Sequence, residues 1–64
     1  MAITLKAARV NAGLTQMDVV NALGISKSTI ANYELYRTKP SIETAQKLAD
    51  LYKMSVDDII FYVN

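Results

Sequence analysis

The side chains of this sequence best suited to chemistry are Lys27, Ser28, Thr29 and Asn32, gathered in one short stretch. An ammonium group donates to guanine O6 or N7, and a carboxamide pairs through two bonds with adenine N6 and N7. Each good pair contributes about 1 to 3 kcal/mol of discrimination between bases. Ser28 and Thr29 suit a base edge, a thymine methyl or a phosphate alike. The residue types that are missing narrow the field further. Histidine and cysteine are both absent, which excludes thiol catalysis, disulfides and the usual zinc-ligand sets. No glycine-rich phosphate loop occurs, and no carboxylate pair sits beside a partner that would give it acid–base work. The chemistry left is recognition, so neither an enzyme nor a cofactor is expected.

A side chain reads a base only if a rigid element presents it. The segment Thr15 to Tyr33, TQMDVVNALGISKSTIANY, supplies two short helices around Gly24. In the first, Val19, Val20 and Leu23 form one apolar stripe. Thr15 caps its start, with Asp18 three places on as the reciprocal partner. Gly24 ends it, because glycine enters the left-handed conformation without a Cβ penalty. Ile25 then drops into the core and Ser26 caps the next helix. There Ile30 and Tyr33 share the inner face, while Lys27, Ser28, Thr29, Ala31 and Asn32 make an outer surface that is polar yet almost uncharged.

Three further helices and no strand are predicted. The first runs from about Thr4 to Ala12, with Leu5, Ala8 and Ala12 inward and Gly13 as its left-handed cap. After the break at Pro40, Ser41 caps a helix from about Ile42 to Tyr52 whose stripe is Ala45, Leu48 and Ala49. Ser55 caps the fifth, with Asp58 as capping-box partner and Val56, Ile59 and Ile60 as its apolar face.

Four segments in this order resemble the Cro/repressor, or xenobiotic-response-element, type of helix-turn-helix protein: LKAARVNAGLTQ (Leu5 to Gln16), NALGISKSTIANYE (Asn21 to Glu34), RTKPSIETAQKLAD (Arg37 to Asp50) and MSVDDII (Met54 to Ile60). The likeness covers nearly the whole chain, and its specificity lies in the combined order and spacing. It implies an all-α fold, a compact five-helix bundle of the lambda-repressor-like type with the helix-turn-helix formed by helices 2 and 3. It also implies sequence-specific binding of a double-stranded DNA operator by a transcriptional regulator of repressor type. Helix 3 would enter the major groove, with base contacts at Lys27, Ser28, Thr29 and Asn32. Phosphate contacts are expected from Gln16, Ser26, Tyr36, Arg37 and Lys39. Gln16 is matched to a family glutamine that bonds a phosphate while steadying a recognition side chain, and it is helped by the helix N-terminus. The resemblance also pairs Arg9 of helix 1 with Glu34.

The chain departs from the family pattern at three positions. Val20 replaces an alanine where helices 2 and 3 pack closely. Tyr36 and Lys53 each stand where glycine normally follows a helix, at a cost of about 1 to 2 kcal/mol if they stay left-handed. A different turn, or a Tyr36 hydroxyl laid against the DNA backbone, is the alternative.

The 64 residues carry a net charge of +1 and are 52% apolar, which fits a single helix-turn-helix domain over residues 1–64 with a real core. Most nucleic-acid binders are visibly basic, so placement counts more than the sum. Lys27, Arg37 and Lys39 cluster at or after helix 3, with Lys6 near the start, while Asp50, Asp57 and Asp58 gather towards the other end. No apolar run approaches the roughly 18 residues a membrane span needs, and the start lacks a signal-peptide profile. A cytoplasmic protein without membrane or small-molecule partners is expected. One half-site gives little affinity, so a homodimer through helix 5 and Phe61, Tyr62 and Val63 is predicted. The alternative keeps the fold without the nucleic acid: a helix-turn-helix module that binds another protein, as an antirepressor or an antagonist of a regulator.

Overall fold

Four hydroxyl side chains set the starts of the four α-helices in the computed structural model, which describes residues 1–63; residue 64, the last of the predicted domain, lies outside them. Thr4 caps α1 (Leu5–Asn11) by accepting from the Ala7 amide, and Thr15 caps α2 (Gln16–Leu23) in a full capping box with Asp18. Ser26 caps α3 (Lys27–Glu34) and Ser41 caps α4 (Ile42–Tyr52), each accepting from the amide three residues on. Each cap satisfies a first-turn donor that the helix itself leaves without an acceptor.

Gly24, at φ 69°, closes α2 with one bond from its amide to the Val20 carbonyl at 2.9 Å, and the other three helix ends share a fuller pattern. Gly13, Tyr36 and Lys53 all have left-handed φ, at 76°, 59° and 58°. Behind each the chain makes the paired bonds of a Schellman motif: Leu14 to Arg9 (3.2 Å) and Gly13 to Val10 (2.9 Å), Arg37 to Asn32 (2.9 Å) and Tyr36 to Tyr33 (3.1 Å), Met54 to Ala49 (3.0 Å) and Lys53 to Asp50 (3.1 Å), amide donating to carbonyl. The turns after α3 and α4 therefore keep the geometry that glycine usually serves, and the side chains tolerate it. At Lys53 the side chain is exposed, so nothing offsets the strain. Lys53→Gly is expected to raise stability by about 1 kcal/mol and the melting temperature by about 4 to 8 °C, checked by thermal melting.

The core is drawn from every helix. Leu5, Val19, Ile30 and Leu48 are fully buried, joined by Ala8, Ala45, Ala49, Tyr52, Ile59 and Phe61. Three expectations change here. Ala12 is exposed, because α1 has ended by Asn11, and the inward position on that helix is taken by Arg9. Phe61 is core and not surface, at 8% exposure.

The third change replaces the fifth helix. Val56–Asp58 is a single 3-10 turn in which the Ser55 hydroxyl takes the amide of Asp57 instead of forming a box with Asp58. Ile59 is already extended, and Ile59–Ile60 forms a strand, β2, parallel to β1 (Ile3–Thr4), with Ile3 opposite Ile59 and Thr4 opposite Ile60. Two adjacent β-branched residues favour that pairing over a helical turn. The described residues thus hold four α-helices and a minimal two-stranded sheet that ties the start of the chain to its end.

Candidate nucleic-acid interface

The polar surface of α3 depends on what holds its other side. Ile30 has no exposed area, and Tyr33 packs half-buried against the same core. With that face fixed, Lys27 and Ser28 stand exposed on the first turn, while Thr29 and Asn32 are half-buried at its edges. The N-terminal turn is tightened by hydroxyls: Ser26 Oγ accepts from the Thr29 amide at 3.1 Å, and the two side-chain oxygens lie 2.8 Å apart. Ser26 and Thr29 are therefore partly occupied in holding the helix start.

The rear end of α3 is held by charge. Glu34 Oε2 accepts from Arg9 Nε at 2.7 Å, and Oε1 accepts from Arg9 Nη2 at 3.2 Å. Arg9 Nη1 donates to the Leu14 carbonyl at 2.8 Å, which the left-handed turn at Gly13 brings back towards α1. Both side chains are buried, at 10% and 4% exposure, so the two charges depend on each other. The bond to Glu34 holds the Arg9 guanidinium above its ordinary pKa, against the opposing effect of burial. Gln16 joins the same group, with Nε2 donating to Glu34 Oε1 at 3.1 Å. At the start of α2, the backbone amide of Thr15 donates to Asp18 at 2.8 Å and holds that carboxyl below its ordinary range.

The remaining expected phosphate contacts stand on the loop between α3 and α4. Arg37 is exposed on the loop after α3. Lys39 is exposed too, and its Nζ sits 5.0 Å from the centroid of the Tyr62 ring, a cation–π contact. Tyr36 is a correction. Its hydroxyl donates to the Ile60 carbonyl at 2.9 Å and accepts from the Leu5 amide at 3.3 Å. Its one proton is thus spent inside the fold, bracing the loop after α3 against the sheet, and is not offered to DNA.

Sequence reasoning missed Tyr52. Its ring is buried, and its hydroxyl meets no hydrogen-bond partner among the described residues. Its place on the α4 stripe, four residues after Leu48, was the available signal. Burial first, then the Glu34 carboxylate, push its pKa up from 10.0 to about 12, with Arg9 opposing. An unfolded chain releases this proton near the ordinary value while the folded chain keeps it. Above pH 10 the folded state therefore holds more protons, and stability falls as pH rises towards 12. Tyr52→Phe is expected to flatten that alkaline loss without lowering stability at neutral pH, since no bond is broken. Denaturant titrations of both proteins across this range check it.

Among the described residues no group of metal-ligating side chains occurs, and no helix is long and apolar enough to cross a membrane. A helix-turn-helix family model matches residues 5–59. Among relatives, the chain is 38% identical over 56 residues to the helix-turn-helix-type transcriptional regulator ImmR of Bacillus subtilis, covering 88% of this chain and 44% of that protein. It is 35% identical over 52 residues to the cryptic phage CTXphi transcriptional repressor RstR of Vibrio cholerae, covering 81% and 47%. An uncharacterized helix-turn-helix-type transcriptional regulator of Methanocaldococcus jannaschii is 36% identical over 58 residues, covering 91% and 88%. The chain thus spans just under half the length of the first two relatives. No solved structure matches. With the match running from buried Leu5 to buried Ile59, across both helices of the motif, the chain belongs to the helix-turn-helix family, of the Cro/repressor type.

Proposed function

We propose that this chain binds double-stranded DNA in a sequence-specific way as a transcriptional regulator, a repressor, with α3 in the major groove. The observation that carries this reading is the division of α3: Ile30 and the Arg9–Glu34 pair fix one side while Lys27 and Ser28 face solvent. Regulators and a phage repressor among its relatives support it. In this reading Lys27, Ser28, Thr29 and Asn32 meet base edges, while Gln16, Ser26, Arg37 and Lys39 meet phosphates. Residues 1–64 act as one domain in the cytoplasm.

Two copies grip two half-sites about one helical turn apart. The surface that suits their pairing is an open apolar groove of about 300 Å³ between the Lys39–Pro40 loop, α4 and the tail, floored by Val56 and Phe61. Of its lining residues Ile42 and Tyr62 are exposed at 92% and 60%, and Val63, next along the chain, is exposed at 57%. The predicted pairing through helix 5, Phe61, Tyr62 and Val63 thus keeps Tyr62 and Val63, loses the fifth helix and the buried Phe61, and gains the exposed end of α4.

Duplex titrations at several salt concentrations test the function. Binding to DNA predicts that log affinity falls against log salt with a slope of about −0.9 per phosphate neutralised. Arg37→Ala should weaken all sequences alike and make the slope shallower by about 0.9. A protein with no affinity for any duplex at low salt would instead favour the protein-binding module.

A further inference from the structure

We propose that Glu34 is the positioning residue for Gln16: it sets the side-chain amide of Gln16 in one orientation before DNA arrives, so that the phosphate meets a donor already aimed. The inference rests on the DNA-binding reading above and deepens it at one site.

A carboxylate only accepts hydrogen bonds, whereas a carboxamide has a donor end and an acceptor end. Gln16 turns its donor end to Glu34, with Nε2 3.1 Å from Oε1. The flipped amide would set two oxygens against each other, so the charge on Glu34 permits one orientation. Glu34 can dictate in this way because it is itself immobile. Arg9 holds both of its oxygens, at 2.7 and 3.2 Å, and Arg9 is anchored in turn on the Leu14 carbonyl at 2.8 Å. The series Leu14, Arg9, Glu34 and Gln16 runs through the turn before α2, α1, the end of α3 and the start of α2. It therefore fixes the first residue of α2 relative to the helix that carries Lys27 and Asn32.

The consequence is chemical. One Nε2 hydrogen of Gln16 is committed to Glu34, and the second remains for an anionic oxygen, at the helix end whose amides also favour an anion. A long amide side chain ordered in advance loses less freedom on binding than one that must be captured from solvent. Glu34 touches no DNA; it acts on affinity only through Gln16.

A binding cycle on the full chain tests this, with affinity for a selected duplex measured for wild type, Gln16→Ala, Glu34→Gln and the double variant. Circular dichroism fixes a temperature at which each is folded. Positioning predicts that Gln16→Ala weakens binding about tenfold in the wild-type background and less than about twofold beside Glu34→Gln. A purely structural Glu34 would lower the melting temperature yet leave the cost of Gln16→Ala the same in both backgrounds, and that result overturns the proposal. Should Glu34→Gln fail to fold, the side-chain ¹⁵N order parameter of Gln16 in free wild-type protein decides. A value near that of rigid backbone, about 0.85, supports positioning, and one below about 0.6 overturns it. Failure of wild-type protein to bind any duplex would overturn the DNA-binding reading itself, whereas multiplicative losses in a protein that binds would overturn the positioning alone.

Discussion

Replacing Glu34 by alanine is expected to cost about 3 to 5 kcal/mol of stability, because it leaves the Arg9 guanidinium buried with the Leu14 carbonyl as its remaining acceptor. For a chain of 64 residues that loss is at least about a third of the roughly 3 to 10 kcal/mol that holds a domain of this size together. The melting temperature should fall by on the order of 20 °C. Arg9→Ala belongs to the same class, since it strips Glu34 of two bonds and Leu14 of one. The double variant is the informative one. With neither charge left unpaired, its loss should be smaller than the two single losses added together by at least about 1 kcal/mol. Chemical denaturation of the four proteins measures this, and additive losses would mean that the pair contributes nothing as a pair.

Ile30→Ala is expected to cost about 2 to 5 kcal/mol, through lost transfer energy and the cavity left in a close-packed core. Ile30 has no exposed area and is the one fully buried anchor of α3. The loss therefore falls on the helix that presents Lys27 and Asn32. Ile30→Val, which removes one methylene, should cost about 0.5 to 1.5 kcal/mol. In denaturant titrations the alanine variant should unfold at markedly lower midpoint with an unchanged slope. A loss below about 1 kcal/mol for the alanine variant would show that α3 is held chiefly by its charged end.

Local sequence carried much of this fold. The α4 limits, Ile42 to Tyr52, follow from Ser41, Pro40 and the Ala45, Leu48, Ala49 stripe, and the helix-turn-helix limits follow from Thr15, Gly24 and Ser26. The last segment mimics a helix because Val56, Ile59 and Ile60 at i, i+3 and i+4 copy a helical stripe over a run too short to decide by period. What decides it is the pairing of Ile59 with Ile3 from the other end of the chain, a contact that no window of neighbouring residues contains. Tyr36 shows the same limit. Its cost as a left-handed residue was legible, but its return, a hydroxyl bridging Leu5 and Ile60, required the fold.

The candidate site divides likewise. The polar face of α3 was visible in residue type and period. The meeting of Arg9 with Glu34 came from family likeness, and the bond from Gln16 to that pair was in neither. Lys39 was grouped with Arg37 by charge, yet its ammonium lies over Tyr62 at the groove. That contact puts one cation where the proposed subunit contact and the proposed DNA surface meet.

The most direct test of the central claim, that the outer face of α3 reads bases, is selection of bound duplexes from a random pool by wild-type protein and by Asn32→Ala. Wild-type protein should enrich a two-fold-related motif, with half-sites about one helical turn apart. Asn32→Ala should relax one adenine position in each half-site by about 1 to 3 kcal/mol and leave the others unchanged. No enriched sequence, or the same motif at undiminished stringency from both proteins, would contradict the claim.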